Sequence, residues 1–425
     1  MKDIVIGIDL GNTNVKCILI NKEGDILGLY KMPSNLMSDS AFGTYLDSRK
    51  ISGTIVKLCR EAAKLISGYT IKGLAITSLG CAGIFLDEND RQIVFPDARV
   101  SADFPHGLEN YMNTCGYPRG YNSAGMQLAW MMSENLEYSK KVRSFLSVVD
   151  YVNFFLTGVK KRELTTAGSM PFMDKINSTD WFEFLNICRI EKSVLPPVCQ
   201  SGEFIGCLTA DAAMACCLPE GTPVFAGGHD YLCGAFAAGC IREGDAVNVL
   251  GTFEMFATFF NSPQKDFYDS RVCSFMDFHI YPGSFTITAE HGCISFIKKM
   301  LADSKDMPLE QRFIQLDKDP KSQSVLANAI VSLNNQTAET LRYMRRVSGD
   351  KPIRSIKVIG GGSNSRFWLQ NKANTLDMPV TALRIPEATA LGAALLAGYG
   401  CGLYASHEEA SHVFDNAESE QFEPM

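Results

Sequence analysis

The sequence predicts an α/β fold built as two domains of similar design. Three observations carry this reading. At 425 residues, with 46% of them apolar, the chain is long enough for two cores. Short apolar runs that read as buried strands alternate with amphipathic helical stretches. Finally, residues 4–20 and 245–260 share one design, strand, small-residue turn, strand, near the start of each half. A repeated unit of this kind predicts a duplicated domain with a ligand held in the cleft between the copies.

The first element, Ile4 to Leu10, reads as a buried strand ending in Asp9. Gly11-Asn12-Thr13-Asn14 is a turn, Val15 to Asn21 a second strand, and Ile26 to Tyr30 a third. Backbone N–H groups of such a turn, with the Thr13 hydroxyl, can point at a phosphate. Asp9 can hold Mg²⁺ through water, and Lys16 adds a cation. An ordinary hairpin is the competing reading. Residues 51–68 form a helix with Ile51, Ile55, Leu58, Ala62, Leu65 and Ile66 on one face. Ile71 to Ser78 is a buried strand, followed by a tight loop at Gly80-Cys81 and a hairpin over residues 84–95. Asp97 and Arg99 leave that hairpin, as a surface ion pair or as a substrate-orienting pair. Residues 123–200 read as mainly helical, including Phe145 to Thr157 and Trp181 to Cys188.

Pro223 to Ala226 is a strand that leads into Gly227-Gly228-His229-Asp230 and a run of small residues with helical character. The glycines allow a sharp turn and close approach to a ligand. An aspartate so placed can take a proton from a substrate hydroxyl; a plain helix cap is the alternative. Residues 245–260 then repeat the opening design around Gly251-Thr252. An amphipathic helix spans 326–347, its Arg342, Arg345 and Arg346 suiting the C-terminal end of the helix dipole. Ile356 to Ile359 is a strand running into Gly360-Gly361-Gly362-Ser363, a glycine turn that opens a helix and suits nucleotide contact. It matches neither the G-x-G-x-x-G nor the P-loop pattern. Residues 387–398 form a small-residue helix for close packing.

The net charge of −7 and a pI near 5.5 argue against a nucleic-acid or anionic-membrane binder. No stretch has the length of a membrane span, and no secretory signal is evident. The fourteen cysteines show no C-x-x-C spacing, so reduced thiols in a cytoplasmic protein are expected.

In this order the pieces resemble the FGGY carbohydrate kinases. Asp9 to Lys16 resembles their first phosphate motif. Phe95-Pro-Asp-Ala-Arg99 is similar to their Trp-x-Asp-x-Arg, and Asp150 to Gly158 to their Asp-Tyr-Ile…Leu-Thr-Gly segment. Gly221 to Asp230 resembles the segment carrying the catalytic base, Gly251-Thr252 the second phosphate motif, and Gly360 to Ser365 with the 390–394 helix the adenosine motif. The resemblance implies two RNase H-like domains of the actin and hexokinase superfamily flanking an active-site cleft. Residues 1–238 would bind sugar and carry the base; residues 239–425, a shortened domain, would bind ATP. It implies ATP and Mg²⁺ as cofactors, a sugar or polyol as partner, and a possible homodimer. Asp230 would be the general base and Asp9 would organise Mg²⁺. Gly11, Asn12, Thr13, Lys16, Gly251 and Thr252 would form the phosphate-binding turns, with Gly361, Gly362 and Ser363 against adenosine. Gly80, Cys81, Arg99, Asn122 and Tyr231 would contact the acceptor.

Three departures stand out. Asn12 and Asn14 replace hydroxyl residues usual in the first turn. Gly80-Cys81 stands where relatives often place a charged or imidazole side chain. The family's Pro-Tyr-x-x-Gly-Glu-Arg-x-Pro stretch is missing after Gly292. The expected activity is phosphorylation of a terminal hydroxyl of a ketopentose, ketohexose or polyol. The alternatives are a catalytically weak sugar- or nucleotide-binding regulatory protein of the same fold, and an ATPase of that superfold acting without a sugar.

Overall fold

The computed structural model describes residues 2–40, 43–94, 104–121, 123–134, 136–251, 253–302, 307–349 and 353–425. The chain divides into two compact units. Unit 1 comprises Met1–Ala237, Asp277–Pro282 and Thr389–Val413; unit 2 comprises Ala238–Met276, Gly283–Ala388 and Phe414–Met425.

The sheet of unit 1 contains β1 (Lys2–Leu10), β2 (Asn14–Asn21), β3 (Ile26–Pro33), β4 (Tyr69–Ser78), β5 (Phe204–Cys207) and β6 (Pro223–His229), in the order β5-β6-β4-β1-β2-β3. The strands β6, β4 and β1 run parallel, while β2, β3 and β5 are antiparallel to their neighbours. Ile4, Val5, Ile6, Ile8 and Leu10 of β1 are all fully buried. A central strand covered on both faces requires such a continuous apolar run. Burying each of these side chains contributes roughly 1.5–3 kcal/mol. At the edge, β3 keeps several residues exposed.

Against this sheet packs α1 (Ser48–Ala63), started by Asp47, whose side chain accepts from the Arg49 amide. Its buried face carries Ile51, Ile55, Leu58 and Ala62, as the periodicity predicts. It stops sooner than expected: the chain turns after Lys64 and leaves Leu65 exposed. Another expectation needs correcting nearby. Residues Ser144–Ser147 form a strand, and the helix α2 (Val148–Thr157) begins only after it. Ser147 caps that helix in a reciprocal capping box with Asp150, so the break is local chemistry that an apolar run conceals.

After β6 comes α3 (Asp230–Ala237). In unit 2 the strands are β7 (Ala246–Leu250), β8 (Phe253–Phe260), β9 (Ser274–Phe278), β10 (Phe285–Gly292), β11 (Ile356–Ile359), β12 (Val380–Leu383) and β13 (Ser419–Phe422), in the order β9-β10-β8-β7-β11-β12-β13. Here β7, β11 and β12 are parallel, β8 is antiparallel to β7, β10 to β8, and β13 to β12. Two helices cover its core, α4 (Ser324–Ser348) and α5 (Arg366–Leu376), burying Leu326, Ile330, Leu333, Leu341, Trp368 and Leu369. A last helix, α6 (Ala388–Gly400), returns to unit 1 from residue 389 onward. A side chain at Gly7 would lie 2.0 Å from the Ala390 carbonyl, and one at Gly392 2.0 Å from the Cys233 carbonyl. The small residues of this helix therefore let it rest directly on β1 and α3.

Candidate active site

Three turns leave the same edge of the unit 1 sheet, each at the C-terminal end of a parallel strand. They are residues 11–13 after β1, Gly80-Cys81 after β4, and Asp230 after β6. In α/β sheets this is the edge where ligands bind. In the first hairpin Asp9 pairs in register with Lys16. Lys16 Nζ lies 2.9 Å from Asp9 Oδ2, with Asp9 nearly buried and Lys16 partly open. Asn12 and Thr13 project into solvent beyond them.

The β6 strand does not turn at its glycines, as expected, but runs on through Gly227 and Gly228 to His229. The reason is spacing between strands: a side chain at Gly227 would lie 1.8 Å from the Ile76 carbonyl of β4. Gly227 thus admits a neighbouring strand. Thr77 Oγ1 donates to the Gly228 carbonyl at 2.7 Å, and the His229 amide donates to Thr165 Oγ1 at 2.8 Å. These bonds fix the strand end from which Asp230 projects.

Asp230 keeps about a third of its side chain exposed. Its Oδ1 lies 2.7 Å from His229 Nδ1 and accepts the Tyr231 amide at 2.7 Å. Burial pushes the Asp230 carboxyl up. The His229 hydrogen bond and charge, the Tyr231 amide and the charge of Lys16 together outweigh that and hold it below the usual carboxylate range. Burial lowers His229 in turn, but the bond to Asp230, the Cys81 thiol and the charges of Asp230 and Asp277 bring it up to about 10. The influence of Lys16 on Asp230 brings the first hairpin and the β6 terminus into one electrostatic field. Gly80 sits behind the imidazole. A side chain there would meet His229 Cδ2 at 2.2 Å and Ser169 Oγ at 2.6 Å.

Cys81 is partly exposed, its Sγ 3.3 Å from the Tyr121 hydroxyl. Tyr231, expected at the acceptor, is buried, and its hydroxyl lies 3.3 Å from Asp277 Oδ2. Its ring meets His229 edge-on at 4.7 Å, so it backs the imidazole. Arg99 and Asn122, with Asp97, lie outside the described residues, as does Thr252. Sequence reasoning missed His229, Tyr121, Lys175 and Asp277. The position of His229 beside Asp230 was a usable signal; the others carry none.

In unit 2 two turns leave the C-terminal ends of the parallel neighbours β7 and β11. Gly251 follows β7. Gly360 after β11 has φ +94°, and a side chain there would meet the Leu250 carbonyl at 2.6 Å. Gly361 faces open space with no side chain to cover its backbone. Gly362 and Ser363 face inward, and the Ser363 hydroxyl donates to the Gly360 carbonyl at 2.7 Å. Of these three expected adenosine contacts, Gly361 alone presents bare backbone to solvent.

A magnesium ion suits Asp9 in one manner. Among the described residues no three metal-ligating side chains converge. A site of one carboxylate, completed by water and phosphate oxygens, is the usual magnesium arrangement beside a nucleotide, and Asp9 at the head of the open turn fits it.

Comparisons with known proteins agree with this layout. The N-terminal domain of the FGGY family of carbohydrate kinases matches residues 4–237, and its C-terminal domain residues 274–401. The L-fuculokinase of Salmonella typhi is 24% identical, over 96% of this chain and 95% of its own length. The xylulose kinase of Bacillus subtilis is likewise 24% identical, over 96% and 91%. Among solved structures, xylulose kinase from Rhodospirillum rubrum superposes with a TM-score of 0.85 at 20% identity, covering 99% of this chain and 94% of that one. With these matches across both halves, the chain belongs to the FGGY family of carbohydrate kinases, enzymes that use ATP and Mg²⁺.

Proposed function

We propose that this carbohydrate kinase transfers the γ-phosphoryl group of ATP to a terminal hydroxyl of a ketose, with Asp230 as general base. The observation that supports this most is the placement of Asp230. It is the accessible carboxylate at the end of β6, held by His229 and lying in the field of Lys16. Such a group can accept the acceptor hydroxyl proton as that oxygen attacks the γ-phosphorus and the bond to the ADP oxygen breaks. The transition state is loose, so positioning and charge neutralisation dominate. Thr13, Asn12 and the amides of the 11–13 turn would hold phosphate oxygens, and Lys16 would offset their charge. Mg²⁺, when bound, would neutralise phosphate charge and would be held by Asp9. Gly251 and Gly361 would offer backbone to the nucleotide.

The reading of the acceptor as a ketose is supported by the surroundings of Asp230 and by relatives named for fuculose and xylulose. The Cys81 thiol lies against His229, which holds the base, and against the Tyr121 hydroxyl, and Gly80 adds no polar side chain beside them. This supports a ketopentose or a 6-deoxyketohexose over an acidic acceptor. The test is ADP release with ATP and Mg²⁺ on L-fuculose, xylulose, gluconate and glycerol. Ketose-dependent release is expected. Release on gluconate alone, or on none of them, would contradict the reading.

A further inference from the structure

A wholly buried ion pair stands behind this site. Lys175 Nζ lies 3.0 Å from Asp277 Oδ1, and neither side chain has any exposure. Lys175 reaches it from beyond the 173–174 strand, whereas Asp277 lies 102 residues further along the chain, within the Asp277–Pro282 segment of unit 1. The other carboxylate oxygen of Asp277 accepts from two tyrosines, Tyr117 at 2.6 Å and Tyr231 at 3.3 Å. Lys175 Nζ also sits 4.5 Å from the centre of the Tyr117 ring.

Each tyrosine leads to a different part of the candidate site. The Tyr231 ring packs edge-on against His229, which holds Asp230. The Tyr117 ring lies 4.7 Å from Tyr121, whose hydroxyl meets the Cys81 thiol. One carboxylate therefore anchors both tyrosines, and through them reaches His229 and Cys81. Burial and the Asp277 charge push the Tyr117 hydroxyl well up, so it stays a donor across the working pH range.

Stability alone gives a weak account of such a pair. Replacing a buried ion pair by apolar residues of similar volume is often neutral or stabilising. What the pair supplies and apolar residues cannot is a fixed acceptor for two hydroxyl groups, and so a fixed orientation for two rings.

We propose that the Lys175–Asp277 pair is the positioning element of the acceptor site, setting acceptor preference through Tyr117 and Tyr231 without touching the acceptor. This rests on the reading of Asp230 as the base. The pair orients His229–Asp230 through one tyrosine and Tyr121–Cys81 through the other, and an acceptor must fit the arrangement that these groups make together.

The test compares three proteins with wild type on L-fuculose and xylulose. In Lys175→Met/Asp277→Leu the pair is replaced by apolar side chains. In Tyr117→Phe/Tyr231→Phe the ion pair remains and only the two hydroxyls are lost. Asp230→Asn reports on the underlying chemistry. Both double variants are expected to raise the KM for the ketose by about tenfold to a hundredfold, the scale of a small misplacement of reacting groups. They should leave the KM for ATP within about twofold and change the L-fuculose to xylulose preference. A ketose KM and preference unchanged in Tyr117→Phe/Tyr231→Phe would overturn the proposal, whether or not the apolar pair folds. Equal rises in both KM values would overturn it too, since a general loosening does that. Normal turnover in Asp230→Asn would sink the base assignment, and the ketose KM of the tyrosine variant would still decide the role of the pair.

Discussion

The sheets of the two units share one plan, with six strands in unit 1 and seven in unit 2, and use it in opposite ways. Starting from the central strand, β1 or β7, each has an antiparallel hairpin on one side and two parallel strands closed by an antiparallel strand on the other. Each first hairpin carries an acid that pairs with a lysine. In unit 1 this is Asp9 with Lys16, at the mouth of the turn, with the lysine partly open. In unit 2 it is Glu254, opposite Leu250 across the hairpin, sealed at 2.7 Å from Lys372 with neither side chain exposed. Thr337 and His291 complete the environment of Glu254. The lysine comes from the hairpin itself in unit 1 and from α5 in unit 2, and depth decides whether such a pair can meet a ligand or serves the core.

Breaking the two pairs should separate these roles. The largest effect is expected from Lys372→Met, which leaves Glu254 buried without its cation. A loss of about 3–5 kcal/mol in denaturant unfolding is expected. Burial pushes the Glu254 carboxyl up, but the Lys372 charge and the His291 hydrogen bond hold it well below the usual range. Its contribution is therefore complete above the unfolded value of about 4.3 and is lost as pH falls below it. Acid unfolding of the wild type should track that loss. Next comes Lys16→Met, where the reverse pattern is expected. Turnover should fall by roughly 10²–10³, as for loss of one charge-stabilising group. Stability should change by less than about 2 kcal/mol, since the lysine is partly solvated. A Lys16→Met enzyme that unfolds early but turns over normally would erase the contrast.

A smaller effect sharpens the unit 1 side. His229→Gln removes the imidazole that lowers Asp230, so the acid limb of the kcat/KM profile should move to higher pH. For stability the sign is opposite. His229 is raised to about 10, so its contribution is full below the unfolded value near 6.5 and is lost as pH rises toward 10. The wild type should therefore lose stability between about pH 7 and 10, and His229→Gln should not. An unmoved acid limb in the variant would separate His229 from the base.

Much of this was legible in the sequence because it is local. The runs at Ile4–Leu10, Val15–Asn21 and Ile356–Ile359 are strands, and the turns after the first and the last of them belong to the candidate site. Asp230 heads a helix at a sheet edge as the small-residue pattern suggests. What escaped was long-range. Glycines at 227 and 228 look like a turn until Ile76 is seen lying against Gly227. Lys175 and Asp277 are 102 residues apart, and only the fold brings them together. Likewise Lys372 and Glu254 are 118 residues apart, and no periodicity links them. The bond from the Tyr231 hydroxyl to Asp277 spans 46 residues and is equally invisible in the sequence.

The central claim is that the unit 1 edge carries the base for phosphoryl transfer. The most direct measurement is acceptor-dependent ADP release by Asp230→Asn beside the wild type, with ATP binding and thermal unfolding followed on the same samples. The account predicts turnover lower by roughly 10²–10⁴, with ATP affinity and unfolding temperature essentially unchanged. Near-normal turnover in Asp230→Asn would contradict it.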